Sequence, residues 1–261
     1  MSFSAIRVSF ISIGENMKKR FFDAFLFCIF LLNCDCWASL VQEVNQNAYG
    51  QQYWTYQKKI GVAGGILNLF KFNSFIQPED TVIDFGCGGG FLLNNIKCRA
   101  KIGVEVNPSA REHAESLGLL VYSDLGMVPD EIADVIISNH VLEHVFNPYE
   151  TLRALYKKLK IGGKLVLVVP SEQASDRGYA YKENDANQHI YTWTPMTLGN
   201  LVHMSGFEII KAEALQHCWT NDYLACVFSE QFDLDAYHER CHEEAIKKNN
   251  YQVRVVATRN A

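Results

Sequence analysis

The residues that can do chemistry fall in two groups near the middle of the chain. The first is D-F-G-C-G-G-G, residues 84–90, an acid followed by four glycines in five positions, Gly86, Gly88, Gly89 and Gly90. Glycine accepts positive φ without strain and lets a ligand approach where a side chain would collide. Val82, Ile83 and Phe85 are strand-like, while Phe91, Leu92 and Ile96 fall at helical spacing, so the stretch reads as strand, tight turn and helix. In open α/β sheets, ligands sit at such turns, outside the carboxyl ends of the strands. Asp84 sets the kind of ligand, because a carboxylate there attracts a cationic group and repels a pyrophosphate. The dinucleotide pattern G-x-G-x-x-G also fails, since its sixth position is Phe91 counted from Gly86 and Leu93 counted from Gly88.

The second group is H-V-L-E-H, residues 140–144, which spells the zinc-binding pattern H-x-x-E-H. That pattern belongs on a helix with a third ligand downstream. Here it follows a strand-like run, so no metal is expected. His144, together with His189 in N-Q-H-I-Y-T-W (187–193), is instead a candidate general base, because imidazole titrates near neutrality. Tyr191 and Trp193 in the same stretch place aromatic surface at a loop-to-helix junction, suited to a planar or hydroxylated molecule. His238 and His242 flank Cys241 on a charged helical stretch and read as surface histidines.

The elements that must position these groups alternate. Strands are predicted at 81–86, 100–106, 119–122, 133–138 and 164–169, each separated by a helix-length segment, which implies parallel strands with right-handed crossovers. Asn107-Pro108 opens the second helix and Thr194-Pro195 a later one. Ile161-Gly162-Gly163 is read as the cap of a helix running from about Pro148 to Lys160. Residues 171–188 form a polar loop, 207–212 a sixth strand, 234–248 a charged helix with a solvated face, and 252–258 a final strand. Upstream, Tyr49, Tyr53 and Tyr56, with Trp54 beside them, draw one face of a helix, either packed on the domain or serving as a lid.

With these landmarks in order, the segment V-I-D-F-G-C-G-G-G resembles the first motif of class I S-adenosylmethionine-dependent methyltransferases. Glu105 in G-V-E-V-N-P is similar to that family's acid for the ribose hydroxyls, Val106 to the apolar residue against adenine, and Asp124 to the acid near the adenine amino group. Residues 133–145 and I-G-G-K-L-V-L-V-V-P resemble the fourth- and fifth-strand motifs of the small-molecule branch that includes ubiquinone-biosynthesis methyltransferases. The resemblance, over about residues 45–212, implies a doubly wound, mostly parallel seven-stranded α/β sheet with helices on both faces. It implies S-adenosylmethionine as cofactor, held by Asp84, Gly86, Cys87, Gly88, Gly90, Glu105, Val106, Asp124 and Asn139. It further implies a small-molecule acceptor beside Tyr53, His140, Tyr191 and Trp193, with His144 or His189 as base. An NAD-dependent oxidoreductase and a non-catalytic cofactor-binding protein are the alternatives.

The whole chain, 261 residues with 48% hydrophobic content, can bury one large core. Its net charge of −5 argues against nucleic acid as partner. Its eight cysteines include no C-x-x-C pair, which favours reduced thiols in a cytoplasmic setting. Residues 1–40 form a distinct apolar segment. Met17-Lys-Lys-Arg20 and the run Phe21 to Leu32 have the shape of a signal or anchor, although Asp23 interrupts the run and it is short for a span. Residues 41–261 read as one domain, with an N-terminal helical lid and a helical insertion at about 213–250.

Overall fold

The computed structural model describes residues 51–171 and 189–260, without the side chains of residues 51, 52, 53, 56 and 59. The segment 17–39, Tyr49, most of the loop 171–188 and the side chains of Tyr53 and Tyr56 therefore lie outside the described residues. The chain divides into two units, 1–48 and 49–261, and all the described residues belong to the second.

Seven strands make one sheet: β1 (Thr81–Phe85), β2 (Ala100–Val104), β3 (Leu120–Tyr122), β4 (Ala133–Asn139), β5 (Leu159–Pro170), β6 (Glu208–Leu215) and β7 (Gln252–Thr258), in the order β3-β2-β1-β4-β5-β7-β6. The first five run parallel, and β7 lies antiparallel between β5 and β6. Sequence order reverses between β1 and β4, so their adjacent carboxyl ends open a crevice at the switch point. The helices are α1 (Gln51–Leu67), α2 (Phe91–Asn95), α3 (Pro108–Ser116), α4 (Pro148–Lys158), α5 (Pro195–Met204), α6 (Tyr223–Val227) and α7 (Leu234–Lys247). Among the described residues no helix is long and apolar enough to cross a membrane.

Alternation along the strands builds two cores. Ile83, Ile136, Leu165, Leu167 and Val255 face Leu152 and Leu155 of α4 and Leu198 and Val202 of α5. Val82, Val135, Ile137, Val166 and Val256 face the other way, onto Phe72, Leu93, Ile96 and Ala114. Burial on both faces explains why these strands read as continuous apolar runs. Three helices start at a polar cap followed by proline. The Asn107 side chain accepts from Ser109 and Ala110 N–H, Asn147 from Glu150 N–H, and Thr194 from Thr197 N–H.

Two expectations are corrected. α4 stops at Lys158 and β5 begins at Leu159, so Ile161-Gly162-Gly163 lies inside the strand. Gly162, at φ 79°, sits beside a register shift in the β4–β5 pairing, and the carbonyl groups at the end of α4 are met by Arg259, whose Nη1 donates to Leu159 O at 2.6 Å. The charged helix is likewise more than a solvated face. Tyr237, Cys241 and Ala245 of α7, spaced by four, are buried, and the first two pack on Ala63 and Leu67 of α1. Its His238 faces inward, with Nδ1 3.0 Å from His217 Nε2 and its ring against Phe70.

Candidate active site

The glycine turn closes β1 by hydrogen bonding to its neighbour. Gly86 and Cys87 N–H both donate to Val104 O, at 2.8 and 3.1 Å. Gly86 and Gly88 take φ of 78° and 53°, but their surroundings differ. A Cβ on Gly86 would lie 2.2 Å from a Val141 methyl, whereas one on Gly88 would meet nothing among the described residues within 4 Å. The first glycine therefore lets the 140–145 turn pack down, and the second has no described residue against its crest. Trp54 covers the flank: a Cβ on Gly89 would lie 2.4 Å from its ring. Its indole stacks at 6.2 Å on Phe91 and leans at 5.3 Å on His113, whose Nδ1–H donates to Gly89 O at 2.8 Å.

Two acids converge beside this turn. Glu105 accepts Gly88 N–H on one oxygen at 2.9 Å and Asn107 N–H on the other at 2.7 Å. Burial pushes its carboxyl above the ordinary range, against the pull of those two amides. Asp84 is 2% exposed, and burial, with the Glu105 charge second, raises it to about 7. Two carboxyls held above their usual range at a strand end make a place where a cationic group is favourable and a phosphate is not. Val106 is 37% exposed, so an apolar surface adjoins these acids. Cys87 contributes backbone only, because its Sγ is turned toward Gly103 and buried. Asp124 is exposed and accepts Gly126 N–H at 2.7 Å, capping a turn of 3₁₀ helix at 125–127.

At the end of β4, Asn139 accepts from Lys71 Nζ at 3.1 Å. Lys71 is 1% exposed, and burial, followed by repulsion from Arg254, lowers its pKa to about 7. Next comes His140 at φ 59°, followed by a 3₁₀ turn, Leu142–His144. The backbone oxygen of Glu143 accepts Ile190 N–H at 2.9 Å, which ties the 189–193 stretch to this turn. The Glu143 side chain is wholly buried. Its Oε1 lies 3.3 Å from His140 Nδ1 and 3.9 Å from both His144 Nε2 and His189 Nε2. Burial would raise its carboxyl, but His140 first and then His144 hold it below the ordinary range. Both candidate bases thus share one carboxylate. Because the Val141 methyl groups rest on Gly86, this cluster borders the glycine turn.

Trp193, expected to face an acceptor, is instead core: it is 7% exposed and packs among Leu198, Val202 and their neighbours. Tyr191 stacks on it at 5.5 Å and donates its hydroxyl to Phe146 O at 3.1 Å. The side chain of Tyr53 is not described. Sequence reasoning missed Lys71, whose signal was a lone charge in the apolar run L-F-K-F (69–72), and His113, which had none.

A doubly wound sheet with a glycine turn, two acids and an open crest at its switch point defines a binding protein for a cationic, nucleoside-like cofactor. Residues 53–212 match the model of the methyltransferase domain family, and the chain belongs to that family. S-adenosylmethionine is the cofactor that this family and fold imply. Similar sequences include an uncharacterized methyltransferase of Schizosaccharomyces pombe, 25% identical over 44% of this chain and 51% of that protein. They also include a ubiquinone biosynthesis O-methyltransferase of Roseobacter denitrificans, 30% identical over 44% and 49%. The chain spans about half the length of these relatives. Its fold matches a SAM-dependent methyltransferase from Archaeoglobus fulgidus at a TM-score of 0.55, 21% identity and coverage of 79% and 99%. It also matches the methyltransferase solved with the Trm112 activator of Haloferax volcanii, at 0.61, 15%, and 83% and 97%.

Proposed function

We propose that the protein transfers a methyl group from S-adenosylmethionine to an oxygen of a small hydroxylated acceptor. When bound, that cofactor supplies an electrophilic methyl on a sulfonium. The residues present fit it: Asp84 offers a carboxylate for the amino-acid ammonium, Glu105 keeps acceptor capacity for the ribose hydroxyls, Val106 gives apolar surface for adenine, and Gly88 leaves the backbone open. Asp124 lies where the resemblance puts the acid for the adenine amino group. The observation that carries this reading is the pair of raised acids beside a turn with an unfilled Cβ position.

Transfer of this kind depends mainly on holding the nucleophile in line at near-attack distance, worth up to ~7–11 kcal/mol. Trp54 and Phe91 cover the turn, and the 140–145 turn and the 189–193 stretch border it where the acceptor enters. An acceptor hydroxyl must also lose a proton, and an imidazole backed by a carboxylate does this, worth typically ~10²- to 10⁴-fold. His144 or His189, both against Glu143, takes that role. The imidazole cluster supports oxygen as the nucleophile, and the likeness to the Roseobacter denitrificans enzyme supports a small hydroxylated acceptor.

The test is methyl transfer from labelled S-adenosylmethionine across a panel of phenols and catechols, with S-adenosylhomocysteine affinity measured alongside. His144→Ala or His189→Ala is expected to lower turnover on hydroxyl acceptors at unchanged cofactor affinity. Turnover intact in both variants removes the base. NADH competing with S-adenosylhomocysteine at equal affinity removes the methyltransferase reading itself.

A further inference from the structure

Asn139 stands at the tip of β4, and strand pairing decides which side of the crevice it serves. β1 pairs with β4 only as far as Ile137, opposite Asp84, whereas β5 follows β4 to its end, with Val168 opposite Asn139. Asn139 therefore belongs with His140 and the 3₁₀ turn that carries His144, past the last residue paired to the strand of the glycine turn. A side-chain amide can stand either way round, and its hydrogen-bond partner decides which. The partner here is Lys71 Nζ, 3.1 Å from Oδ1. A protonated lysine donates and cannot accept, so the amide oxygen faces it and Nδ2 is turned the other way.

The lysine is itself held. Arg254 Nη1 donates to its backbone oxygen at 3.2 Å, while Arg254 Nε donates to Glu213 Oε1 at 2.9 Å. Phe72, the next residue, is wholly buried in the core. Because Lys71 is also almost wholly buried, Nζ has no path to solvent. Asn139 is only half-buried, and among the described residues its Nδ2 has no hydrogen-bond partner. A cation on the amide oxygen polarises the group and strengthens its N–H donors in a low-dielectric interior. The buried lysine thus leaves a fixed donor on the acceptor side of the crevice.

We infer that Lys71 orients Asn139 as a hydrogen-bond donor to the reacting oxygen of the acceptor, and that the pair selects hydroxyl acceptors over amines. Lys71 is a positioning residue, acting through Asn139, and the inference rests on the methyl-transfer reading. In that transfer one lone pair of the acceptor oxygen forms the bond to the methyl carbon, the C–S bonding pair stays on sulfur, and the hydroxyl proton passes to His144 or His189. The oxygen keeps a further lone pair, which accepts from Nδ2 and holds the attacking pair in line. A neutral amine has one lone pair and needs it for the methyl. It turns an N–H toward the Asn139 N–H, donor against donor, and an unmet polar group of this kind is how a site rejects a near-isostere.

The test uses the full chain at about pH 6, where Lys71, lowered to about 7 by burial first, is charged. Each phenol is paired with the aniline of the same skeleton, and the ratio of their kcat/KM values is read. That ratio is expected to fall ~10- to 100-fold in Asn139→Asp, the worth of a strong hydrogen bond, and to fall in the same direction in Lys71→Met, where the amide is released. S-adenosylhomocysteine affinity on the same samples is expected to be unchanged in Lys71→Met. A readout independent of turnover is the Asn139 side-chain NH₂ signal in ¹⁵N NMR, identified by its loss in Asn139→Asp. It should move when a phenol is added to the S-adenosylhomocysteine complex. A ratio unchanged in both variants, or an amide signal that responds to S-adenosylhomocysteine and not to the phenol, overturns the inference and leaves methyl transfer standing. A chain that binds S-adenosylhomocysteine yet methylates neither member of any pair removes the methyl-transfer reading, and the inference with it.

Discussion

Replacing Lys71 with methionine should make the protein more stable at neutral pH and below, and the gain should vanish as pH rises. The Lys71 side chain is buried, and its pKa falls from 10.5 to about 7 through burial first and Arg254 second. At ~1.4 kcal/mol per pK unit, that gap corresponds to at most roughly 5 kcal/mol of disfavoured charge. The sign comes from proton counting. Below about pH 7 the amine is charged in folded and unfolded chains alike, and the fold bears the whole cost. Between about 7 and 10.5 the unfolded chain binds more protons, so native stability climbs with pH. Methionine keeps the unbranched shape of the side chain, one atom shorter, and removes the titration, while Asn139 loses the hydrogen bond from Nζ at 3.1 Å, which costs about 1–3 kcal/mol. Urea unfolding of both proteins at several values between pH 6 and pH 10 is the assay. The difference should favour Lys71→Met at pH 6, shrink by ~1.4 kcal/mol per pH unit above about 7, and reverse at the alkaline end. Parallel stability curves would refute the reasoning, because they would mean that Lys71 does not titrate differently in the fold.

Gly88→Ala should leave the fold close to wild type, with about 1 kcal/mol of φ strain, yet abolish S-adenosylhomocysteine binding by calorimetry. Gly86→Ala should instead lower the melting temperature, because its Cβ would meet Val141 at 2.2 Å. Asp84, raised to about 7 by burial and then Glu105, is partly protonated near neutrality. A cationic cofactor favours the carboxylate, so binding should release a proton and tighten as pH rises through 7. Calorimetry in buffers of different ionisation enthalpy checks this, and Asp84→Asn should abolish the release. Leu67→Ala, at a fully buried contact between α1 and α7, should cost about 2–5 kcal/mol in urea unfolding.

What was legible in the sequence was what local chemistry dictates. The polar-residue-plus-proline starts of α3 and α5 capped as expected, and the β-branched runs became strands because both faces of the sheet are covered. Asp84 and the glycines sit together because one turn joins β1 to α2, and Glu105 joins them because β2 pairs directly beside β1. The remainder depended on contacts distant in sequence. Lys71 meets Asn139 from 68 residues away, and His189 reaches Glu143 only because a long excursion returns to the 140–145 turn. Trp193 looked like a binding aromatic because nothing local distinguishes a wedge from a platform. Ile161-Gly162-Gly163 looked like a helix cap because a glycine at positive φ serves a bulged strand equally well. The burial of α7 was written in Tyr237, Cys241 and Ala245 at intervals of four, but the surrounding charges hid that stripe.

The placement of β7 governs the order in which the sheet can be completed during synthesis. β1 to β5 succeed one another along the chain and can pair as they emerge, but among the described residues β6 pairs only with β7, which is translated after it and inserts between it and β5. Until Thr258 has left the ribosome, β5 presents an open edge of buried-type residues, Leu165 and Leu167 among them, and β6 with α5 must wait beside it. Such an unpaired apolar edge is where nascent chains associate wrongly, so release of the last strand, rather than formation of the cofactor turn, sets when this domain becomes safe from aggregation.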